Sequence, residues 1–422
     1  MTRHLLAALD DLGGLSCEDP LGIGYLAAHI CEDAEFDFGG FMTCQELQSR
    51  LRGGSSESLL LSCFTLDSPC LSAVLDTADS LDIPVMLGGP AFCLPACHPV
   101  LAHKSVRKVL FGEADAVPAE AIIGGGDCIP FPALWSKTMR LPRPALLRDP
   151  NSARLPWRVQ LKAGRTSSAR LLTSRGCPFN CRYCGLGSIQ RTEDIGWRPR
   201  SFDSISHEIE FIRSMGAAHV SLADESVTGV VGALERMDGL ASLFLNTNLT
   251  FSAMIAPGVL GDVSQNQADK WVAAGLRRVV LLLNSCSGLI AGRLESRIAT
   301  LAGRLAAAGI EVESGLITVD PFTSPAQFLL RINSVAKLSP SCPESYVRSL
   351  RLVPGTSTES RVRRARFRWS GGPRALRNGI EFHFKYQETA RLVESLLGFL
   401  DANSSLKGHS LSIGVEQWLA KQ

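Results

Sequence analysis

The residues best suited to chemistry are three closely spaced cysteines. Cys177, Cys181 and Cys184 lie in the segment Arg-Gly-Cys-Pro-Phe-Asn-Cys-Arg-Tyr-Cys, with C-x3-C-x2-C spacing. Three thiolates on one short loop can hold three corners of a cubane iron–sulfur cluster, which leaves one iron open to a substrate or cosubstrate. A closed zinc site needs a fourth Cys or His, and the next ones along the chain are His207 and Cys286. Zinc ligands and plain loop cysteines are the alternative interpretations.

A rhythm of strands and helices places the triplet directly after a predicted strand. Short apolar runs predict strands at Arg170–Ser174, His219–Ala223, Leu243–Asn248, Val279–Asn284, Glu311–Val319 and Tyr346–Val353. Helical spacing predicts helices at Phe202–Met215, Val230–Leu240, Gln265–Ala274, Leu289–Ala308 and Pro325–Leu338. Strands that alternate with helices predict a partial (β/α)6 barrel, whose chemistry takes place at the carboxyl ends of the strands.

The first third of the chain predicts a second α/β sheet. Apolar runs without alternation predict buried strands at Leu5–Asp10, Ser58–Phe64, Val85–Leu87 and Val109–Phe111. Helical spacing follows in Pro20–Cys31 and Pro69–Leu81. This pattern indicates a Rossmann-like, doubly wound parallel sheet, which binds ligands at the carboxyl ends of its strands.

The chain is therefore predicted to have four parts. Residues 1–120 form the doubly wound domain, and residues 121–165 form a connector rich in Pro and Gly. Residues 166–353 form the barrel, and residues 354–422 form a small mixed C-terminal region with a helix at Gln387–Leu400.

Composition excludes several classes of protein. The formal charge of +2 is small for a general nucleic-acid binder. No apolar run reaches the ~18 residues of a membrane helix. The N-terminal sequence does not resemble a signal peptide, so the 13 cysteines are expected to be reduced thiols, metal ligands or both, in a cytoplasmic protein.

The cysteine triplet, with Tyr183 before its third cysteine, resembles the radical S-adenosylmethionine (SAM) superfamily over about residues 170–353. The resemblance implies a 4Fe-4S cluster on the three cysteines, with the open iron chelated by SAM. It also implies that reduction of the cluster cleaves SAM to methionine and a 5′-deoxyadenosyl radical. It further implies that the Tyr183 backbone contacts adenine and that Glu225, or Asp224, binds the SAM amino group. An acid suits an ammonium group, although helix capping is the alternative role for both acids.

Three further polar residues are candidates for this SAM or substrate site. They are Asn248, Ser252 and Asn284. Many relatives have Gly-x-Glu-Ser where this chain has Leu-Leu-Asn-Ser, so Asn284 stands in the place of an acid. Polar residues at the mouth of a barrel are also often simply solvated.

The N-terminal domain resembles the cobalamin-binding module of cobalamin-dependent radical SAM enzymes. The residues that carry this resemblance lie at strand ends and are Ser62, Cys63, Phe64, Thr65, Gly88, Gly89, Pro90, Gly112 and Glu113. Glycines at strand ends let the backbone approach a large flat macrocycle, although tight turns also favour glycine. The string Asp-x-His-x-x-Gly is absent from the sequence, so cobalt is expected to lack a protein histidine ligand.

These resemblances imply a cobalamin-dependent radical SAM methyltransferase that methylates a carbon of a small molecule or peptide, by a radical or a polar route. The alternatives are a non-methylating reaction such as rearrangement or cyclisation, and a non-catalytic sensor that binds the cluster or cobalamin. An external low-potential reductant of the flavodoxin or ferredoxin type is the expected partner, without nucleic acid or membrane. The segment Arg361–Arg377 is predicted either to dock an acidic substrate, a carrier or a peptide, or to be a solvated face. The sequence does not identify a general acid or base.

Overall fold

The structure is a computed structural model. It describes residues 3–10, 19–54, 56–64, 68–92, 99–124, 134–135, 143–186, 196–260, 262–283, 293–350, 353, 356–365 and 384–422. Of the predicted site residues, Thr65 and Asn284 lie outside this part of the chain. The chain divides into two compact units, one of Met1–Ser174 with Ser188–Ser221 and one of Arg175–Gly187 with Leu222–Gln422.

The first unit contains a six-stranded sheet. Its strands are β1 (Arg3–Leu9), β2 (Glu35–Met42), β3 (Ser58–Ser62), β4 (Val85–Gly88), β5 (Val106–Leu110) and β6 (Leu134–Trp135). Their spatial order is β2-β1-β3-β4-β5-β6, in which β1 to β5 run parallel and β6 is antiparallel to β5. The order 2-1-3-4-5 is a doubly wound order, which confirms the predicted fold class.

Helices cover both faces of this sheet. They are α1 (Leu21–Ile30), α2 (Cys44–Gly53), α3 (Pro69–Ser80), α4 (Ala119–Ile123) and α5 (Val159–Lys162). Along β1, Leu5, Ala7 and Leu9 pack into one hydrophobic cluster, while Leu6 and Ala8 pack into another on the opposite face. A strand buried on both faces is continuously apolar, which is why it was recognisable in the sequence.

The strand β2 was not predicted. It is an edge strand, and its sequence Glu-Phe-Asp-Phe-Gly-Gly-Phe-Met mixes charges and glycines with aromatic residues. Phe36 and Phe38 pack against Trp157, with ring centroids 5.0 and 6.5 Å away. The strand is therefore held by contacts with a distant segment that its own sequence does not indicate.

A second sheet contains the predicted barrel strands. They are β7 (Ser168–Leu171), β10 (His219–Leu222), β11 (Thr250–Ile255), β12 (Leu276–Leu281) and β13 (Glu311–Ser314), in the order β13-β12-β11-β10-β7. The short strands β8 (Ser174–Arg175) and β9 (Arg198–Pro199) form a separate pair. Strands that follow one another in space as they do in the chain, joined by helices, match the predicted partial barrel.

Six of the described helices of this region and of the C-terminal region lie where helices were predicted, whereas Pro257–Leu260, Ser357–Arg364 and Gly408–Leu419 were not predicted. In chain order, the helices of both regions are α6 (Phe202–Ser214), α7 (Ala233–Phe244), α8 (Pro257–Leu260), α9 (Gln265–Ala273), α10 (Arg293–Ala307), α11 (Pro325–Ala336), α12 (Ser357–Arg364), α13 (Gln387–Ala402) and α14 (Gly408–Leu419). Within the residues that the structure describes, no helix is both long enough and apolar enough to cross a membrane.

Two predicted strands need correction. The predicted third strand, Leu243–Asn248, begins inside α7, and the strand itself lies at Thr250–Ile255. Asn246 and Asn248 have φ angles of 64° and 60°, a conformation of turns rather than strands. The predicted sixth strand is reduced, among the described residues, to a parallel bridge between Val319 and Ser349.

The first unit also buries a network of charged side chains, here called the closed network. Its members are Asp19, Arg158, Arg200 and Glu208. Arg158 joins Asp19 and Glu208 at N–O distances of 2.5 Å each, and Arg200 reaches the second oxygen of Glu208 at 2.5 Å. Because buried charges are stable only when they are paired and hydrogen-bonded, Arg158 is the residue on which the network depends.

Candidate functional site

The cysteine loop begins with a glycine turn after β8. Gly176 is buried and has a φ of 79°, a left-handed conformation that glycine adopts at little cost. The backbone N–H of Cys184 donates to the carbonyl of Cys181 at 3.1 Å, which closes the turn that contains Tyr183. The loop therefore curls back on itself and brings its cysteines together.

The three thiols form one electrostatically coupled group. Cys177, Cys181 and Cys184 are partly buried and free of disulfide bonds. Burial raises the pKa of the Cys177 thiol to about 12, and the neighbouring Cys184 and Cys181 add to that rise. Burial also raises the pKa of Cys181, which a hydrogen bond with the Tyr183 side chain opposes. A cation bound to such thiols would favour the thiolate form, because it would compensate the charge that burial disfavours.

Ligands of a single metal ion converge on one centre, as four side chains do around a tetrahedral zinc. Among the described residues, no group of three or more His, Cys, Asp or Glu side chains is placed in this way. In a cubane cluster each cysteine binds a different iron, so its ligands do not share one centre.

The structure separates the two acids after β10. Asp224 is fully buried, and its charge acts on Arg236, which in turn donates to the Val227 carbonyl at 3.1 Å. Glu225 is exposed, and its carboxylate lies close enough to Cys177 to raise the pKa of that thiol. Of the two acids, Glu225 is thus the one accessible to a ligand at the cysteine loop, whereas Asp224 is part of the interior.

The residues of β11 alternate between a face that packs on α7 and the opposite face of the sheet. Phe251 stacks on Phe244 of α7, with ring centroids 4.3 Å apart, so the alternate residues lie on the opposite face. Ser252 belongs to that face, beside Arg278 in the β11–β12 register. Asn248 precedes the strand, so its predicted position at a carboxyl end was wrong. Its side chain lies in the turn at the amino end of β11.

The face of the sheet that carries Ser252 also carries charges that the sequence analysis missed. Glu313 of β13 pairs with Arg278 of β12, and Arg348 approaches the same carboxylate at 4.0 Å. The predicted fourth strand began at Val279, which left Arg278 outside it. The alternation of charged and apolar residues in Glu-Val-Glu-Ser was the available signal for a face that is not covered by helices.

In the first unit, the ends of β3 and β4 are held closely together. The N–H of Cys63 donates to the Gly88 carbonyl at 3.0 Å, and Cys63 itself is fully buried. Gly89 has a φ of 94°, and a Cβ on it would collide with Ser62 and lie 3.0 Å from the backbone of Cys63. Ser62, Gly88 and the exposed Pro90 remain partly accessible at this edge. Glycine is thus required at position 89 by the close approach of Ser62 and Cys63 within the turn itself.

Phe64, the next residue, has a packing role. Its ring stacks against Phe41 of β2, with centroids 6.1 Å apart. It remains only partly buried, so it forms an apolar margin beside Ser62 and Cys63. A partly exposed aromatic ring at the end of a sheet suits contact with a flat ligand.

The end of β5 is closed by the chain itself. Gly112 pairs with Ala145, and a Cβ on Gly112 would overlap the Ala145 backbone. Glu113 forms a two-point salt bridge with Arg198, with an Nη2–Oε1 distance of 2.7 Å, and accepts from the N–H of Leu147 at 2.8 Å. Both predicted residues therefore have structural roles here, and their cofactor role stays a prediction.

Comparison with known proteins gives similarity of fold. No protein-family model and no curated protein matches the chain. Two solved structures of TsrM, a radical SAM methyltransferase from Kitasatospora setae, are similar. One, with tryptophan substrate and the SAM analogue aza-SAM bound, has a TM-score of 0.60 and 15% identity over 81% of this chain and 72% of its own. The other, with cobalamin and a 4Fe-4S cluster bound, has a TM-score of 0.64 and 16% identity over 89% of this chain and 82% of its own. The predicted resemblance is thus confirmed at the level of the fold.

Proposed function

We propose, from the fold that this chain shares with a radical SAM methyltransferase, that it is a cobalamin-dependent radical SAM methyltransferase acting on a carbon of a small molecule or peptide. The observation that carries the proposal is the cysteine loop. Its three neighbouring thiols, with C-x3-C-x2-C spacing, would each bind one corner of a cluster. The similar structures were solved with cobalamin, a 4Fe-4S cluster and a SAM analogue, which supports the same three cofactors here.

The residues of this chain would divide the work as follows. Cys177, Cys181 and Cys184 hold the cluster, and the hydrogen bond from Tyr183 keeps the second thiol in place. Glu225 accepts the ammonium group of SAM, because it is the exposed acid beside the loop. When bound, the cluster supplies one-electron reduction of SAM, and cobalamin supplies methyl transfer.

The first unit would hold cobalamin at the ends of β3 and β4. Gly88, Gly89 and Pro90 are partly or fully accessible at this edge, and Ser62 offers a hydroxyl beside them. The end of β5 would contribute less to cobalamin binding, because Gly112 already pairs with Ala145 and Glu113 already forms a salt bridge with Arg198. Tryptophan in the similar TsrM structure favours a small-molecule substrate over a peptide.

The test is anaerobic reconstitution with iron, sulfide and cobalamin, followed by SAM and a low-potential reductant. We expect S-adenosylhomocysteine, which reports methyl transfer, together with 5′-deoxyadenosine, which reports radical formation. Formation of S-adenosylhomocysteine alone would contradict the radical route, and formation of neither product would contradict the proposal.

The matched variants change the thiols singly and together. Cys177→Ala, Cys181→Ala, Cys184→Ala and the triple variant should lose bound iron and both products, since a cubane needs each of the three ligands. Cys342→Ala is the control, because Cys342 is another partly buried free thiol that bonds only Ser345 in this structure. Iron retained by the triple variant at the level of the unmodified protein would show that the cluster is held elsewhere.

A further inference from the structure

A group of exposed arginines lies beside the cysteine loop, and we call it the basic surface. It consists of Arg182 in the loop and Arg361, Arg363 and Arg364 in α12, all of which are exposed. The helix α12 begins at an N-cap in which the Thr356 hydroxyl accepts from the N–H of Glu359 at 3.2 Å. The arginines occupy its last turn, where the helix dipole stabilises positive charge.

Direct contacts fix this helix to the cysteine loop. The N–H of Thr358 donates to the carbonyl of Arg182 at 3.2 Å. Val362 is fully buried and packs in a cluster with Tyr183 and Phe322. The guanidinium of Arg361 lies over the Phe322 ring, 4.1 Å from its centroid. The basic surface is therefore held next to the residues that would carry the cluster, at a defined position.

The charge of the basic surface is local. The whole chain has a formal charge of only +2, yet α12 places three arginines against one carboxylate, that of Glu359. Glu359 is buried and pairs with Arg363, which leaves a positive excess on the helix. A local excess of this kind raises the rate at which an acidic partner associates, and it aligns that partner before contact.

We infer that the basic surface docks an acidic, low-potential electron-transfer protein of the flavodoxin type, which reduces the cluster. The inference rests on the proposed function, because the chemistry requires an electron at this loop. One electron would leave the reduced carrier and enter the oxidised cluster, and the carrier would depart oxidised by one electron with no bond made or broken. A surface that binds the carrier directly beside the cysteine loop keeps the distance between the carrier and the cluster short.

The test measures binding of oxidised flavodoxin directly. The variants are Arg364→Ala and Arg364→Glu, neither of which removes the ion pair between Arg363 and Glu359 or the packing of Val362. We expect the dissociation constant to rise about threefold for the alanine variant and about tenfold for the glutamate variant, with the difference vanishing at high ionic strength. Lys270→Glu, which reverses an exposed charge on α9, is the matched control and should bind flavodoxin as the unmodified protein does.

A second reductant separates this inference from the proposed function. With dithionite, a small reductant that needs no docking surface, the Arg364→Glu enzyme should cleave SAM at the normal rate, whereas with reduced flavodoxin it should be slow. Unchanged flavodoxin binding in both variants, or an equal loss of rate with dithionite, would overturn the docking surface. Failure of the unmodified protein to cleave SAM with either reductant would instead overturn the proposed function, while the binding measurement would still test the surface.

Discussion

The closed network of the first unit and the cysteine loop of the second handle charge in opposite ways. In the closed network, Arg158 has no exposed side-chain area, and it meets both Asp19 and Glu208 within hydrogen-bond distance. At the cysteine loop, Cys177 and its neighbouring thiols are only partly buried, and the nearby carboxylate of Glu225 disfavours the ionisation of Cys177 further.

The difference shows which of the two regions contains its own counter-charges. The closed network supplies its own counter-charges, so it stabilises the fold without a ligand. The cysteine loop gathers thiols that all become negative on ionisation, and the charges of Cys184 and Cys181 add to the rise in the pKa of Cys177. A cation that bound these thiols would favour their ionised form, which is how metal binding is coupled to thiol ionisation.

The largest expected effect comes from breaking the closed network. Arg158→Ala leaves Asp19 and Glu208 buried near one another without their shared cation. Removing one partner of a buried ion pair costs about 3–5 kcal/mol, because the remaining charge is uncompensated. We therefore expect the free energy of unfolding, measured by urea denaturation followed by circular dichroism, to fall by about that amount.

The matched control for Arg158 is a surface arginine. Arg213 pairs with Glu210 at 2.6 Å, but both side chains are about half exposed. Exposed pairs contribute little to stability, so Arg213→Ala should leave the denaturation midpoint almost unchanged. Equal effects of the two substitutions would mean that burial does not distinguish these pairs, and the comparison would fail.

The second expected effect concerns Glu225, the exposed acid beside the cysteine loop. Glu225→Gln keeps the shape of the side chain but removes its charge, and it should weaken SAM binding by about ten- to a hundredfold, as expected for loss of a charge-assisted hydrogen bond. The measurement is calorimetric titration of the reconstituted protein with SAM, with iron content determined in parallel. Stability should remain unchanged, because Glu225 is exposed.

Two other acids, Glu235 and Asp224, serve as controls for Glu225. Glu235→Gln changes an exposed acid in the first turn of α7 and should not affect SAM binding. Asp224→Asn alters a fully buried carboxylate whose charge acts on Arg236, so it should lower the unfolding free energy. A larger loss of SAM affinity in Asp224→Asn than in Glu225→Gln, without loss of stability, would assign the SAM amino group to Asp224 instead.

The position of the cysteine loop after a strand was predicted from the sequence, whereas the closed network was not foreseen, and the difference has a physical reason. The cysteine spacing and the acids after β10 are local patterns, and the apolar strands before them are local as well. The partners of the closed network are far apart in the chain, since Arg158 is 139 residues from Asp19 and 50 from Glu208. The same limit explains why the salt bridge between Glu113 and Arg198, 85 residues apart, was not foreseen.

The error at Asn248 has a different origin. The apolar run Leu243–Leu245 suits a helix end as well as a strand, and the sequence did not separate the two. Phe244 completes the buried face of α7, and the chain then turns through Asn246 and Asn248 at positive φ before β11 begins. Two asparagines in close succession were the local signal for that turn.

The smallest expected effect extends the comparison to a closed contact in the second unit. The hydroxyls of Tyr346 and Ser412 are 2.8 Å apart and buried between the barrel and α14. Tyr346→Phe removes this neutral hydrogen bond and should cost about 0.5–1.5 kcal/mol near neutral pH. The measurement is again the free energy of unfolding by urea denaturation, repeated across alkaline pH for both proteins.

The pH dependence makes this last prediction specific. Burial raises the pKa of Tyr346 from 10.0 to about 12, so between these values the unfolded chain releases the phenolic proton while the folded chain keeps it. The stabilisation is therefore complete below pH 10 and is lost as the pH rises through 12. Tyr346→Phe lacks this proton, so the gap in stability between the two proteins should close and then reverse over that range. Groups common to both proteins cancel in the difference, and a difference independent of pH would show that the Tyr346 hydroxyl is as accessible to solvent in the folded chain as in the unfolded one.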